Sequence, residues 1–173
     1  MKHKNPANEY AFLMIEYEMP DIIKELQNNI SEEELYLCDD GNDYGLEKEC
    51  HVTLVPCLDN NVDLNELKKH LQELSKYQIL IHDISKFECQ DYDVLKCGVI
   101  SKALLDSNKE IRDSFDTHSE YKVYKPHMTV AYMKHGMADK YLQETLPKLI
   151  LLKPKHFLFS YTDDKGSFEK IIF

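Results

Sequence analysis

The sequence lacks the features that would place a protein in a membrane or outside the cell. No segment of its 173 residues approaches the run of about 20 apolar residues that a membrane-spanning helix needs. The N-terminal stretch MKHKNPANEYAF lacks the apolar core of a secretion signal. The five cysteines form no CxxC pair, and an odd number in a chain without a signal favours reduced thiols. We therefore expect a cytoplasmic protein with no membrane partner.

The sequence also lacks an excess of positive charge. Its 21 Lys and Arg residues are outnumbered by 31 Asp and Glu residues, and the net charge is −10. This balance argues against a general affinity for duplex DNA or RNA, which depends on many phosphate contacts from basic side chains. A small anionic ligand needs only a few well-placed basic groups, so such a ligand remains compatible with the composition.

The chain has no low-complexity segment and no obvious linker, and its length suits one domain over residues 1–173. The apolar run at 9–19 predicts a buried strand, and Pro20 predicts the start of an amphipathic helix. The remaining predicted elements are a loop over 38–45, a strand over 49–58, a helix over 62–77, paired strands over 78–89 and 91–101, a helix over 101–115, a strand over 124–133, a helix over 136–149 and a closing hairpin over 156–173. Because hairpins interrupt the alternation of strands and helices, we expect an α+β fold rather than a doubly wound parallel sheet.

Two short segments repeat one polar pattern within strand-like surroundings. They are HVTL, which begins at His51, and HMTV, which begins at His127. Alternate side chains of a strand point to opposite faces, so His51 and Thr53 share one face, about 7 Å apart along the chain. His127 and Thr129 have the same relationship. Each motif therefore presents an imidazole and a hydroxyl on one face and apolar side chains on the other.

Two imidazoles and two hydroxyls around a shared cavity suit the hydrolysis of a phosphodiester. One group must take a proton from the nucleophile, and another must give a proton to the leaving oxygen. Histidine can do either because its unperturbed pKa lies near neutrality, and each transfer contributes about 10²- to 10⁴-fold. The threonine hydroxyls can donate hydrogen bonds to nonbridging phosphate oxygens. Two histidines without carboxylate neighbours make a poor hydrolytic metal centre, so we expect no metal and no cofactor.

The paired motifs resemble those of a known family, the 2H phosphoesterases of the 2′-5′ RNA ligase-like superfamily. Its signature is two His-x-Thr/Ser-x motifs, the second commonly preceded by Pro, as in KPHMT here. The resemblance extends over most of the chain. It implies a bilobal α+β fold, in which the antiparallel sheets of two pseudo-symmetric halves line a central cleft and the helices lie outside.

The same resemblance implies metal-independent cleavage of phosphodiesters. His51 and His127 would be the catalytic pair in such an enzyme. Thr53 and Thr129 would bind the phosphate. Which histidine is the base and which is the acid depends on the orientation of the substrate, and the sequence leaves this open.

The segments 91–115 and 124–136 resemble a subgroup found in viruses of bacteria and their prophages. The superfamily resemblance and the acidic composition favour a small nucleotide substrate, either a cyclic oligonucleotide messenger or a 2′-5′-linked oligonucleotide. The subgroup resemblance implies a role in countering host defence. One alternative is a 2′,3′-cyclic phosphodiesterase that processes RNA ends, although it should show a basic tract toward the cleft. A binding protein that sequesters nucleotides is the alternative from another class. A third alternative is an unrelated α+β interaction protein in which the two motifs occur by chance.

Aromatic residues near the motifs are candidates for stacking on a nucleobase, an interaction of about 1–3 kcal/mol per base. In the family the leading strand borders the cleft, so Tyr10 and Phe12 are candidates, with a core role as the alternative. Tyr44 precedes the first motif and could cap a base, with a solvated loop as the alternative. Tyr132 follows His127 at an odd offset, which points it to the opposite face unless a bulge intervenes, so we expect no substrate contact from it.

Overall fold

The fold is given by a computed structural model that describes residues 10–38, 44–119, 122–146, 148–163 and 167–173. The strands in these ranges are β1 (Tyr10–Tyr17), β2 (His51–Asp59), β3 (Ile79–Glu88), β4 (Asp93–Ile100), β5 (His127–Met133), β6 (Ile150–Leu152), β7 (Pro154–Thr162) and β8 (Phe168–Ile172). The α-helices are α1 (Asp21–Asn28), α2 (Leu64–Lys69) and α3 (Lys102–Ser114), and 3-10 turns occur at Glu32–Glu34, Leu74–Tyr77 and Asp139–Tyr141. Parts of the predicted loop over 38–45 and of the closing hairpin loop lie outside the described residues.

The strands join one curled antiparallel sheet in the order β6-β3-β4-β5-β2-β1-β7-β8. This order divides into two halves, β6-β3-β4-β5 and β8-β7-β1-β2, which meet where β5 lies beside β2. Each half contains one strand–helix–strand unit, β1-α1-β2 or β4-α3-β5. The expected α+β fold of two pseudo-symmetric halves is confirmed, and the sheets of the two halves are continuous.

One face of the sheet packs against the helices and forms the main core. α1 buries Ile23 and Leu26, and α3 buries Leu104 and Ile111, against apolar side chains of the strands. A fully buried side chain of this kind contributes about 1.5–3 kcal/mol. Pro20 immediately precedes α1, as the sequence predicts. The helices therefore anchor the strands that carry both motifs.

The helix predicted over 62–77 is interrupted. α2 ends at Lys69, and only a 3-10 turn follows, at Leu74–Tyr77. Tyr77 accepts a hydrogen bond on its carbonyl from the hydroxyl of Tyr17 at 2.8 Å, and its own hydroxyl lies 2.6 Å from that of Ser107. These buried contacts hold the turn against the core, so packing overrides the helical pattern there.

No described helix is long and apolar enough to cross a membrane.

The prediction of a helix over 136–149 is wrong. The described part of this segment forms only the 3-10 turn at Asp139–Tyr141. Gln143 exchanges two backbone hydrogen bonds with Ile84 of β3, at 2.8 and 2.9 Å. That pairing forms an isolated antiparallel bridge, which is incompatible with a helix at Gln143. A tertiary contact, absent from any local pattern, therefore decides the conformation.

Candidate active site

The two motif strands meet at a single backbone pair. Val52 of β2 pairs with Met128 of β5 in antiparallel register, and both side chains are fully buried in the core. The flanking residues point to the other face, where antiparallel geometry places each motif histidine beside the threonine of the other motif. The resulting pairs are His51 with Thr129 and Thr53 with His127. We call these side chains the motif quartet; its two histidines lie on a diagonal, with backbone positions about 7–8 Å apart.

Each motif strand bulges directly after its threonine. In β2, paired with β1, the extra residue is Leu54. In β5, paired with β4, the extra residue is Val130. A bulge bends a strand and increases its local twist, so β2 and β5 diverge beyond the motifs. The same irregularity at the same place in both halves supports the internal duplication that the repeated motifs indicate.

A side-chain amide from a helix holds each bulge. Asn108 of α3 donates a hydrogen bond of 2.7 Å to the carbonyl of Leu54. Gln27 of α1 donates to the carbonyl of Val130 at 3.0 Å and to that of Glu47 at 2.7 Å. Because buried carbonyls need partners, these amides both satisfy the bulges and fix their position. The two helices therefore orient the strands that carry the motif quartet.

Among the described residues, His127 has a hydrogen-bond partner on one ring nitrogen only. Its Nδ1 lies 2.8 Å from the carbonyl oxygen of Lys125, which can only accept, so Nδ1 carries the proton and Nε2 of the neutral ring can accept one. The ring of Phe87 meets the imidazole edge-to-face, with 4.8 Å between centroids. Burial lowers the pKa of His127, although the hydrogen bond to Lys125 opposes this effect. The nearby charges of Lys96 and His51 lower the pKa further.

His51 has a different setting. Its Nδ1 is buried and has no hydrogen-bond partner among the described residues. Glu16 pairs with His51 in the β1–β2 register, but the Glu16 carboxylate is bound by Lys155 at 2.9 Å. Burial raises the pKa of Glu16, but Lys155 and His156 outweigh burial through their hydrogen bonds and charge, so this pKa lies below its ordinary value. His51 thus lacks the fixed tautomer that Lys125 imposes on His127.

A lysine on β4 extends the face of the motif quartet. Lys96 pairs with Thr129 on one side and with Ser85 of β3 on the other. Its Nζ donates to the hydroxyl of Ser85 at 2.7 Å and lies 4.4 Å from the centroid of Phe87, the ring that contacts His127. The motifs do not predict these neighbours. The register of the β3–β4 hairpin, with alternate residues sharing a face, is the signal that would have identified them.

Four tyrosine rings cluster beyond the second motif. Tyr44 lies 5.4 Å from Tyr132, 5.0 Å from Tyr36 and 5.2 Å from Tyr92, measured between ring centroids. We call these residues the tyrosine cluster. The bulge at Val130 returns Tyr132 to the face of the motif quartet, so the expectation that Tyr132 points away is wrong. Tyr44 packs within this cluster rather than standing alone in a solvated loop.

The two aromatic candidates of β1 lie in the other half of the sheet. Met14 pairs with Thr53, and the unbroken β1–β7 register places Phe12 on the same face as Met14. Phe12 is 36% exposed, so its ring is available to a ligand. The ring of Tyr10 lies 4.8 Å from that of His118, tilted by 41°. Phe12 therefore lies on the face of the motif quartet, and Tyr10 lies at the start of β1. Neither residue belongs to the main core cluster.

The donor set of this face suits proton transfer better than metal binding. The residues that the structure describes contain no group of three or more His, Cys, Asp or Glu side chains that could hold a metal ion. Beside each imidazole of the quartet stands a hydroxyl, whereas catalytic zinc sites are built from histidine, cysteine and carboxylate ligands.

Comparison with known families agrees with this geometry. The model of the 2′-5′ RNA ligase superfamily matches residues 20–160. The chain belongs to this superfamily. It is therefore a 2H phosphoesterase, an enzyme of a hydrolase- and ligase-like class, and membership supports a phosphodiesterase-like activity. No curated protein matches the sequence of this 2H phosphoesterase.

Solved structures share the fold of this 2H phosphoesterase at low sequence identity. The TT0787 protein of Thermus thermophilus is 14% identical, with a TM-score of 0.56 and 94% of each chain covered. Usb1 of Kluyveromyces marxianus is 10% identical, with a TM-score of 0.55, and the match covers 98% of this chain and all of Usb1. A second Usb1 structure, with uridine monophosphate, has a TM-score of 0.51 at 9% identity, over 96% of this chain and all of Usb1.

Proposed function

We propose that this 2H phosphoesterase hydrolyses a phosphodiester of a small nucleotide, without a metal ion, by acid–base catalysis between paired histidines. One observation carries the proposal. The single pair Val52–Met128 sets the two motif histidines diagonally across one face, each beside a threonine hydroxyl. Backbone positions about 7–8 Å apart leave room for one phosphate group between the two imidazoles.

In the proposed reaction His127 is the base and His51 is the acid. Nε2 of His127 takes a proton from the attacking oxygen, and a new bond forms between that oxygen and phosphorus. The bond from phosphorus to the leaving oxygen breaks as His51 gives that oxygen a proton. The acceptor Nε2 of His127 and the lowering of its pKa by burial support this assignment.

The two hydroxyls of the quartet bind the nonbridging oxygens in this proposal. Negative charge accumulates on these oxygens as the nucleophile adds. Hydrogen-bond donors that are already oriented toward that charge stabilise the transition state without further reorganisation. Thr53 and Thr129 lie on opposite sides of the β2–β5 seam, so each can reach a different nonbridging oxygen.

Aromatic rings lie toward both sides of the quartet and support a nucleotide ligand. The tyrosine cluster, which includes Tyr44, lies beyond the second motif, and Tyr10 and Phe12 lie in the other half of the sheet. A phosphodiester between two nucleosides would place one base toward each group, where stacking contributes about 1–3 kcal/mol per base. The Usb1 structure with uridine monophosphate, which shares the fold, is consistent with a nucleotide in such a cleft.

Within this class we propose a cyclic oligonucleotide messenger or a 2′-5′-linked oligonucleotide as the substrate. The net charge of −10 favours a small ligand over long RNA, which needs an extended basic surface. If the substrate is a cyclic oligonucleotide, the proposed role is the destruction of a nucleotide alarm signal, as a counter to host defence in the cytoplasm.

A substrate panel tests the proposal. The protein is incubated in EDTA with cyclic di- and trinucleotides, 2′-5′ oligoadenylates and 2′,3′-cyclic mononucleotides, and the products are separated and identified. We expect turnover of a cyclic oligonucleotide or a 2′-5′ oligoadenylate. Turnover of 2′,3′-cyclic mononucleotides alone would instead support RNA-end processing. Tight binding without turnover would support a nucleotide-sequestering protein, and activity lost in EDTA would refute the metal-free mechanism.

A further inference from the structure

We propose that Lys96 is a phosphate-binding residue that makes the two sides of the cleft unequal. It would donate to the phosphate beside Thr129, its neighbour across the β4–β5 register. This inference rests on the proposed function, because it names the group that holds the anion on which the quartet acts. No motif contains Lys96, and its role follows only from its position in the sheet.

Lys96 is held in place without an acidic partner. Its Nζ donates to Ser85 at 2.7 Å and lies over the ring of Phe87 at 4.4 Å. An ammonium group has three donors, and Ser85 accepts one of them. In the described part of the chain no carboxylate lies within 4.0 Å of Nζ, whereas eight other lysines have such a partner. Lys96 therefore keeps donors available on the quartet's face.

The surroundings of Lys96 favour an incoming anion. The side chain is half-buried, and burial lowers the pKa of Lys96 while the charge of Asp83 opposes this effect. Lys125 is a second positive charge close enough to lower the same pKa. A partly desolvated ammonium without an ion pair is unfavourable, and a phosphate oxygen would compensate it by a charge-assisted hydrogen bond.

The other half of the sheet has no lysine at the position equivalent to Lys96. Met14 pairs with Thr53 as Lys96 pairs with Thr129. On its other side Met14 pairs with Leu158, where Lys96 pairs with Ser85. Met14 and Leu158 are 8% and 3% exposed, so the position equivalent to Lys96 is buried and apolar. A phosphate would therefore bind closer to Thr129 than to Thr53, which also fixes the direction in which the substrate lies.

The test variant is Lys96→Met, which copies the residue of the other half. The control is Lys109→Met, which removes the same charge from the exposed surface of α3, the helix on the opposite face of the sheet. Isothermal titration calorimetry measures binding of uridine 5′-monophosphate, uridine and inorganic phosphate. NMR of the His127 ring measures its pKa without ligand. Thermal melting confirms folding, and Lys96→Gln and Lys96→Arg are made in parallel.

We expect Lys96→Met to weaken binding of uridine monophosphate by about tenfold to a hundredfold and to leave uridine unchanged. The pKa of His127 should rise in Lys96→Met, because a neighbouring positive charge has been removed. Lys96→Arg should retain most of the affinity, and Lys109→Met all of it. If Lys96→Met does not fold, the same losses are expected of Lys96→Gln.

Equal affinity for uridine monophosphate in Lys96→Met and the wild type would overturn the proposal. So would an equal loss for uridine, or a His127 pKa that does not move. The proposal would also be overturned if the wild type bound neither uridine monophosphate nor inorganic phosphate. Wild-type protein that binds the nucleotide through Lys96 but cleaves nothing in the substrate panel would refute the proposed hydrolysis and leave this anion site supported.

Discussion

The side-chain amide of Asn108 donates a buried hydrogen bond of 2.7 Å to the carbonyl of Leu54, the residue that bulges directly after the first motif. In the other half Gln27 makes the corresponding bond to Val130. Both helices thus hold the irregular part of a motif strand rather than its regular part. The orientation of the motif quartet consequently depends on helix packing as well as on the sheet.

Replacement of Asn108 by Ala should destabilise the protein and impair the quartet. The carbonyl of Leu54 would remain buried without its donor, at a cost of about 1–3 kcal/mol in the free energy of unfolding. Urea denaturation measures this change, and turnover of the identified substrate should fall as well. The control is Asn65→Ala, at an exposed position of α2. Equal unfolding free energies for the two variants would contradict a clamping role for Asn108.

Replacement of either motif histidine should abolish turnover while preserving nucleotide binding. We expect His51→Ala and His127→Ala each to lower kcat by about 10²- to 10⁴-fold, because each removes one proton transfer. Steady-state kinetics gives kcat, and calorimetry with uridine monophosphate gives binding. His70→Ala, at the end of α2, is the control. Retained turnover in both single variants would refute the catalytic assignment.

The pH dependence of kcat/KM should identify the base. A base must be deprotonated, and burial lowers the pKa of His127 from its ordinary value of 6.5. The acidic limb of the profile should therefore rise with pH through a midpoint below 6.5. In Lys96→Met that midpoint should move upward. A wild-type limb with its midpoint above the ordinary histidine value would argue against His127 as the base.

Removal of a stacking ring should weaken nucleotide binding but not phosphate binding. We expect Tyr44→Ala to reduce the affinity for a nucleotide by about 1–3 kcal/mol if the tyrosine cluster stacks on a base. Phe12→Ala tests the opposite side in the same way. Calorimetry with a dinucleotide and with inorganic phosphate separates the two contributions. A parallel loss for both ligands would mean that the substitution disturbs the quartet rather than a base site.

Asp93 should make stability depend on pH in the acidic range. This fully buried carboxylate accepts from the amide of Gly136 at 2.9 Å and lies 3.2 Å from both Lys86 and His135. Burial raises the pKa of Asp93, but these partners outweigh it and the pKa is lowered. The stabilisation is therefore present above the unfolded pKa of about 3.9 and is lost as the pH falls through the folded value.

Thermal melts between neutral and strongly acidic pH measure this dependence. The wild type should lose stability below about pH 4, and Asp93→Asn should lose less over that interval. At neutral pH Asp93→Ala should be destabilised by about 1–3 kcal/mol, because the amide of Gly136 loses its buried acceptor, whereas Lys86 keeps Glu88 at 2.9 Å and Asp139 at 2.7 Å. Identical acid profiles for the wild type and Asp93→Asn would show that other carboxylates control acid unfolding.

The motifs, the hairpin of β3 and β4 and the α+β class could all be predicted because each depends on local order. Alternation along a strand places His51 with Thr53, and apolar spacing along α3 places Leu104 with Ile111. The same reasoning failed for Tyr132, since one extra residue at Val130 reverses the alternation. A bulge is fixed by pairing with β4 and by the amide of Gln27, neither of which lies nearby in the sequence.

Residue order alone thus specified the groups that the proposed chemistry uses, because side-chain direction within a strand follows from the adjacent residues. The meeting of the two motifs at Val52 and Met128 arises only in the folded chain, since it requires strands from separate halves of the sheet to pair. The same holds for the contacts that distinguish the histidines, such as Lys96 and Phe87 beside His127. Their positions depend on inter-strand register, which no single segment encodes.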